Sequence, residues 1–203
     1  MKKTLILFAH PRYEKSRINR ILLRPVQNSE TVLLHDLYEA YPDFNIDVEH
    51  ERALLLQHDN IVWHHPFFLY SAPAVLKQWM DTVLEFGWAH GPEGDNLRGK
   101  ICFNCITSGG TRESYQKDGS NRFTLGEFLY PFEQTAYLCK MVYLPPFAVQ
   151  GTYRLTTEEI EGYAEDYRIL LDFLSAEPDR TEEMKQYPLL NDWLSATKTE
   201  GQK

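Results

Sequence analysis

The stretch from Lys3 to Leu23 constrains the fold more than any other part of this 203-residue chain. An apolar run, Leu5 to Phe8, predicts a strand buried on both faces, and the polar run from His10 to Lys15 predicts a loop. Ser16 is a suitable N-cap for the amphipathic helix that follows. Such a loop presents backbone N–H groups that favour an anion, and a phosphate is the obvious ligand. An ordinary βα turn is the alternative, since the loop has no glycine and matches no Walker A or dinucleotide motif.

The composition suits one domain of the α/β or α+β class, because 43% of the residues are apolar. The net charge of −8 argues against a nucleic-acid partner, which would need clustered Lys and Arg. No apolar run reaches the length of a membrane span, and the N-terminus becomes polar too soon for a signal peptide. We therefore expect a cytoplasmic protein.

Cysteine and histidine spacing gives no reason to expect a metal or a disulfide. Cys102 and Cys105 form a C-x-x-C pattern, but they lie in KICFNCITS, which predicts a strand. Residues three apart on a strand point to opposite faces, so we interpret both as buried thiols. The histidines show no H-E-x-x-H or comparable spacing, and we expect no metal site.

Five strands alternate with helices along the chain, which predicts a parallel sheet with helices on both faces. The expected fold is a three-layer α/β sandwich with the flavodoxin-like strand order 2-1-3-4-5. We place this domain at residues 1–174 and a polar C-terminal tail, disordered or packed on the body, at residues 175–203. The predicted strands are Leu5–Phe8, Thr31–His35, Asp59–His65, Lys100–Thr107 and Met141–Val149, the last interrupted by Pro145 and Pro146. The predicted helices start at Ser16, Val48, Ala74, Phe123 and Thr156, the last with a capping box to Glu159.

In this topology the carboxyl ends of strands 1, 3 and 4 meet at one edge of the sheet. The loops that follow them span residues 10–19, 66–71 and 107–115. The first offers phosphate donors, the second is aromatic, and the third is rich in glycine and hydroxyl groups. Together they suit a ligand with a phosphate tail and a flat ring, which is the outline of flavin mononucleotide (FMN).

Several short motifs, in order from about Thr4 to Leu174, resemble those of the flavodoxin-like NAD(P)H:quinone oxidoreductases. Among these proteins the resemblance is greatest to the ancillary subunits of Kef-type, glutathione-gated potassium efflux antiporters. The motifs are A-H-P at 9–11, S-x-x-N at 16–19, L-Y-x-x-Y-P-D-F-N-I-D at 37–47, W-x-H-P at 63–66, L-K-x-W-x-D at 76–81, G-W-A-H-G at 87–91, L-x-G-K at 97–100, T-S-G-G at 107–110 and L-P-P-F at 144–147.

The resemblance implies an FMN-dependent, two-electron reduction of a quinone with NAD(P)H as co-substrate, and FMN rather than FAD. The flavin supplies the hydride chemistry, and the protein binds and orients it. By similarity, the cofactor-binding residues are His10, Ser16, Arg17, Ile18, Asn19, Phe67, Phe68, Leu69, Tyr70, Thr107, Ser108, Gly109 and Gly110.

Three further residues take roles from the resemblance. Tyr115 corresponds to a catalytic tyrosine that steadies charge on the reduced flavin, with a surface tyrosine as the alternative. Trp88 and His90 correspond to substrate-lining residues that reach the flavin of a partner subunit in a homodimer. Related proteins carry a histidine further on, where this chain has Asn121 or Arg122, so a proton-relay role is not carried over.

Two other functions stay open from the sequence. One is a regulatory ancillary subunit that binds a potassium efflux antiporter and is held by it at the inner face of the cell membrane. The other is an electron carrier without its own NAD(P)H site, which would stabilise a semiquinone on titration.

Overall fold

The computed structural model describes residues 1–176 and 180–200. The strands are β1 (Thr4–Phe8), β2 (Val32–Asp36), β3 (Asn60–Pro66), β4 (Ile101–Thr107), β5 (Val142–Tyr143) and β6 (Phe147–Val149). The helices are α1 (Arg17–Leu22), α2 (Leu37–Ala40), α3 (Val48–Gln57), α4 (Ala74–Val83), α5 (Leu125–Leu138), α6 (Thr157–Ser175), α7 (Thr181–Met184) and α8 (Leu190–Glu200).

The strands form one parallel sheet with the order β2-β1-β3-β4-β5, and β6 also pairs with β4. This confirms the flavodoxin-like α/β fold and its strand order. β1, β3 and β4 are buried along their whole length, as expected for parallel strands covered by helices on both faces. Short helix α2 lies in the connection after β2.

The last predicted strand is divided in two by Pro145 and Pro146. β5 pairs with the beginning of β4, and β6 pairs with its end, from Cys105 opposite Phe147 to Thr107 opposite Val149. Proline lacks an N–H group for the ladder and therefore interrupts the pairing. As a result, the loop after β6 leaves the sheet beside the loop after β4.

Apolar side chains form one core on each face of the sheet. Trp63 and Trp79 lie in the core beneath α4 and α5, whereas Phe103 and Tyr167 lie in the core beneath α1 and α6. Cys102 and Cys105 belong to opposite cores, as strand geometry predicts for residues three apart. All three cysteines are buried free thiols.

Residues 180–200, here named the C-terminal segment, pack on the body of the domain. Leu190 and Trp193 are fully buried in the core beneath α6, and Leu189 is buried in the opposite core. Residues 177–179 and 201–203 of the expected tail lie outside the described residues. The domain boundary at residue 174 stays a prediction.

Candidate functional site

A cleft of about 550 Å³ opens at the carboxyl ends of β1, β3, β4 and β6. This volume lies within the range of small-molecule and cofactor sites. The cleft is lined by His10, Ser16, Ile18, Asn19, Pro66, Phe67, Phe68, Leu69, Thr107, Gly109, Thr152 and Tyr153. The three loops that the sequence predicted to converge therefore meet here. We name residues 10–19 the α1 edge of the cleft and residues 67–71 its turn edge.

Free hydrogen-bond donors are concentrated at the α1 edge. Ser16 caps α1 as predicted, and its Oγ accepts from the backbone N–H of Asn19 at 3.1 Å and from its Nδ2 at 3.0 Å. Because a hydroxyl group has two acceptor positions, its own hydrogen is left to donate elsewhere. The N–H groups of Arg17 and Ile18 make no hydrogen bond within residues 1–176 and 180–200. These donors together can receive an oxyanion.

A buried chain of side chains orients Asn19. The Oδ1 atom of Asn19 lies 2.9 Å from Nε2 of His64, which must therefore donate, and Nδ1 of His64 can accept from the hydroxyl of Tyr167 at 3.4 Å. The Nδ2 group of Asn19 then points to Ser16 and to Oγ1 of Thr107 at 3.4 Å. Burial lowers the pKa of His64 to about 3, so its ring is neutral and keeps this polarity.

His10 has a fixed protonation pattern as well. Its Nδ1 accepts from the N–H of Arg12 at 3.1 Å, so the hydrogen of the neutral ring is on Nε2. Desolvation lowers the pKa of His10, which favours this neutral form. His10 therefore adds one more donor to the lining of the cleft.

The turn edge is held by strained backbone. Leu69 and Tyr70 have φ values of 44° and 68°, and the N–H of Ser71 closes the turn on the carbonyl of Phe68 at 3.0 Å. Positive φ is unfavourable for residues with a side chain, and such strain concentrates at functional sites. The N–H groups of Leu69 and Tyr70 make no hydrogen bond within the described residues. Side chains here are largely exposed, Leu69 at 93%.

Glycine allows the loop after β4 to lie close to neighbouring side chains. A Cβ atom on Gly109 would lie 2.4 Å from the ring of Tyr153, and one on Gly110 would lie 2.8 Å from the ring of Tyr115. The loop is also bonded to the end of β6, since the N–H of Ser108 donates to the Val149 carbonyl at 2.9 Å. The third side of the cleft thus depends on two loops.

Four of the predicted cofactor residues do not line the cleft, namely Arg17, Tyr70, Ser108 and Gly110. The guanidinium group of Arg17 donates to the carbonyls of Thr152 and Leu155 at 2.9 and 2.8 Å. The Ser108 hydroxyl donates to the Gly110 carbonyl. These side chains support the walls, so a direct role in binding stays a prediction.

Tyr115 lies beside the cleft and does not line it. It belongs to a 3-10 turn, Glu113–Tyr115, and its ring packs on Phe67 and Phe128 with centroid distances of 5.8 and 6.0 Å. Burial raises the pKa of its hydroxyl. The surface-tyrosine alternative is wrong, because Tyr115 is 6% exposed, and its catalytic role stays a prediction.

Trp88 and His90 lie in the loop between α4 and β4, and neither lines the cleft. Trp88 packs beneath the guanidinium group of Arg52 at 4.8 Å, and His90 packs on Phe86. Contact with a partner subunit's flavin requires a second copy, so this role stays a prediction.

The sequence reasoning missed Thr152, Tyr153 and His64. It placed the site after strands 1, 3 and 4 only, although the strand that pairs with the end of β4 must also deliver its loop to this edge. His64 belongs to no motif in the sequence. Its alternation with His65 along a buried strand could have shown that it points towards α1.

Residues 1–176 and 180–200 contain neither a membrane-spanning helix nor a metal-binding cluster. No described helix combines the length and apolar character needed to cross a membrane. Within the described ranges, no group of three or more His, Cys, Asp or Glu side chains could hold a metal ion.

A five-stranded parallel order with a donor-rich, partly apolar cleft at the carboxyl edge defines a flavodoxin-like α/β protein with a ligand site. The chain belongs to the family described as having the flavodoxin-like fold, whose model matches residues 2–171.

Similar proteins fall into two groups. The glutathione-regulated potassium-efflux system ancillary protein KefG of Erwinia tasmaniensis is 42% identical over 165 residues, which cover 81% of this chain and 90% of that protein. General stress protein 14 of Treponema denticola was solved in complex with FMN. It is 37% identical to this chain with a TM-score of 0.80, and the match covers 85% of this chain and 99% of that protein's chain. An NADPH-quinone reductase of P. pentosaceus is 34% identical with a TM-score of 0.76, covering 83% and 97%.

Proposed function

We propose that this chain binds FMN in the cleft and acts as an NAD(P)H:quinone oxidoreductase. The observation that carries the proposal is the set of unpaired donors in the cleft, above all the Ser16 hydroxyl with its two accepted bonds. A similar protein that holds FMN and a similar quinone reductase support the same ligand and reaction.

The residues of the α1 edge fit the phosphate group of FMN. The Ser16 hydroxyl and the N–H groups of Arg17 and Ile18 would bind its oxygens, and hydrogen bonds to an anion are the strong class. Asn19 would act indirectly, since both ends of its amide are already paired within the protein.

The turn edge and the loop after β4 fit the ring. The N–H groups of Leu69 and Tyr70 can meet its polar edge, while Phe67 and Phe68 cover its apolar area. Gly109 permits close approach of the backbone, and donors there would favour the charge that develops on reduction. In such a site FMN supplies the redox chemistry, because flavins accept hydride and pass electrons to a quinone.

The test is anaerobic addition of NADPH to the FMN-loaded protein, followed by a benzoquinone. We expect the flavin absorption to bleach in one step without a semiquinone and to recover with the quinone. A stable semiquinone would favour the electron carrier. Protein that takes up no FMN would contradict the oxidoreductase function.

A second candidate is an ancillary subunit of a potassium efflux antiporter, favoured by the name of the KefG relative. Such a subunit would use the same flavin site as a ligand sensor and would bind a membrane protein without a membrane span of its own. Potassium efflux measured with the antiporter alone and with this protein added would test it. An unchanged efflux rate would contradict the ancillary function. Homodimer formation also stays a proposal.

A further inference from the structure

The C-terminal segment, residues 180–200, lies beyond the part of the chain that the family model matches, which ends at residue 171. Its polar composition suggests a peripheral tail, yet it contributes buried side chains to both cores. Leu189 joins the core that holds Tyr115, and Trp193 packs on Phe173 with a centroid distance of 4.8 Å. The segment is therefore an integral part of the fold.

One ion pair joins this segment directly to the loop after β4. Arg112 follows Gly110 by two residues, and its Nη1 and Nη2 each lie 2.7 Å from one carboxylate oxygen of Asp192. A two-bond pair between planar groups fixes orientation as well as distance. Asp192 also raises the pKa of Arg112, so the guanidinium group stays charged.

A second set of bonds joins the segment to β6. The Oδ1 atom of Asn191 accepts from the N–H of Ala148 at 2.8 Å, and the N–H of Leu190 donates to the Pro146 carbonyl at 3.0 Å. These bonds satisfy the outer edge of the sheet, which would otherwise be open. Two consecutive residues, Asn191 and Asp192, thus bind β6 and the loop after β4.

The loop after β4 and the loop after β6 form the third side of the cleft. The N–H of Gly151 donates to the Gly110 carbonyl at 2.9 Å, and the N–H of Thr152 donates to the Ser108 carbonyl at 3.1 Å. Movement of either loop would therefore move Gly109 and Tyr153 together. α8 is bonded to the loop after β4 through Asp192 and to β6 through Asn191.

We propose that the C-terminal segment positions the glycine loop of the flavin site, with Asp192 as the positioning residue that acts through Arg112. The inference rests on the proposed function, since it concerns affinity for FMN. Asp192 touches neither the cleft nor any group that would bind the ligand. Its effect is to keep residues 108–112 in the conformation that receives the ring.

The chain offers a matched control. Asp166 on α6 pairs with Lys198, which also joins the C-terminal segment to the body, and Asp166 and Asp192 have similar side-chain exposures of 29% and 25%. That pair lies away from the glycine loop. Asp192→Asn and Asp166→Asn therefore remove comparable ion pairs, and only the first reaches the site.

The experiment titrates FMN into apoprotein of wild type and both variants and follows quenching of flavin fluorescence. We expect Asp192→Asn to raise the Kd about three- to tenfold, which matches the loss of one partly exposed ion pair. Asp166→Asn should stay within about twofold of wild type. The double variant Arg112→Asp/Asp192→Arg should recover affinity relative to Asp192→Arg alone.

Equal Kd values for the two single variants would overturn the proposal. Amide hydrogen exchange of residues 108–115 in the apoprotein separates its failure from that of the flavin site. Faster exchange in Asp192→Asn than in Asp166→Asn supports the positioning role even if wild type binds no FMN. Unchanged exchange there, together with unchanged affinity where FMN binds, contradicts it.

Discussion

At the α1 edge of the cleft, Ser16 and Asn19 are fixed from below by buried side chains, whereas at the turn edge Leu69 and Tyr70 are fixed by their own backbone. The first edge is a rigid set of polar donors connected to the core through His64. The second edge is exposed and apolar and carries its free N–H groups on a strained turn. One cleft is thus preorganised in two ways, one sensitive to buried polar substitutions and the other to backbone strain.

The strongest test of this difference is the pair Asn19→Leu and Asn121→Leu. Asn19 is buried, and its loss leaves the N–H of His64 unpaired, so we expect a loss of about 3 kcal/mol in unfolding free energy. Asn121 accepts from the Tyr70 hydroxyl at 3.2 Å near the turn edge, where solvent can replace this bond. Asn121→Leu should therefore lower the unfolding free energy by less than about 1 kcal/mol. Urea denaturation measures both, and equal losses would contradict the difference.

The buried histidine makes stability depend on pH. Unfolded His64 takes up a proton near its ordinary pKa of 6.5, but burial lowers the folded pKa to about 3. Between these values the unfolded state binds more protons, so stability falls as the pH falls. His64→Gln should reduce this slope by about 1.4 kcal/mol per pH unit between pH 6 and 4.

His50→Gln is the control, because this histidine is exposed at the surface of α3. Denaturation of His50→Gln at a series of pH values should give the wild-type dependence of unfolding free energy on pH. An unchanged slope for His64→Gln would contradict the neutral ring inferred for the α1 edge.

Ser16→Ala separates capping from ligand binding. Loss of the N-cap should cost about 1 kcal/mol of unfolding free energy, and loss of the free hydroxyl should weaken FMN binding about tenfold. Asp47 caps α3 through the N–H of His50 at 3.0 Å, far from the cleft, so Asp47→Ala loses a cap alone. FMN titration that finds both variants equally weakened would show that Ser16 acts only as a cap.

The smallest effect is expected at the turn edge. Leu69→Gly relieves the positive φ of 44° and should raise the unfolding free energy by about 0.5–1 kcal/mol. Leu56→Gly changes an exposed leucine within α3 and should lower the unfolding free energy by a similar amount. Thermal denaturation compares the two, and destabilisation by Leu69→Gly would show that the turn is not strained.

The sequence predicted the sheet well because its signals are local. A continuous apolar run marks β1, Ser16 and Thr156 mark helix starts, and two prolines mark the break after β5. Strand order followed from the number of strands and the rules for parallel connections. The packing of residues 180–200 could not be predicted, because their apolar positions are few and their partners are distant in sequence.

The site was predicted loop by loop, but the side-chain roles needed the structure. Arg17 is predicted from the sequence to bind the cofactor. In the structure its guanidinium group donates to two carbonyls after β6. His64 shows no motif, since its role depends on Asn19, which is 45 residues away. Such long-range hydrogen bonds leave no pattern in a single sequence.

The central claim, a phosphate-binding α1 edge in a flavin site, is tested most directly by comparing FMN with riboflavin, which lacks the phosphate. Titration of each into the apoprotein, followed by fluorescence quenching, gives the two Kd values. Two or more hydrogen bonds to a phosphate should make FMN at least about 100-fold tighter, and Ser16→Ala should narrow this ratio. Equal affinity for FMN and riboflavin, or no affinity for either, would contradict the account.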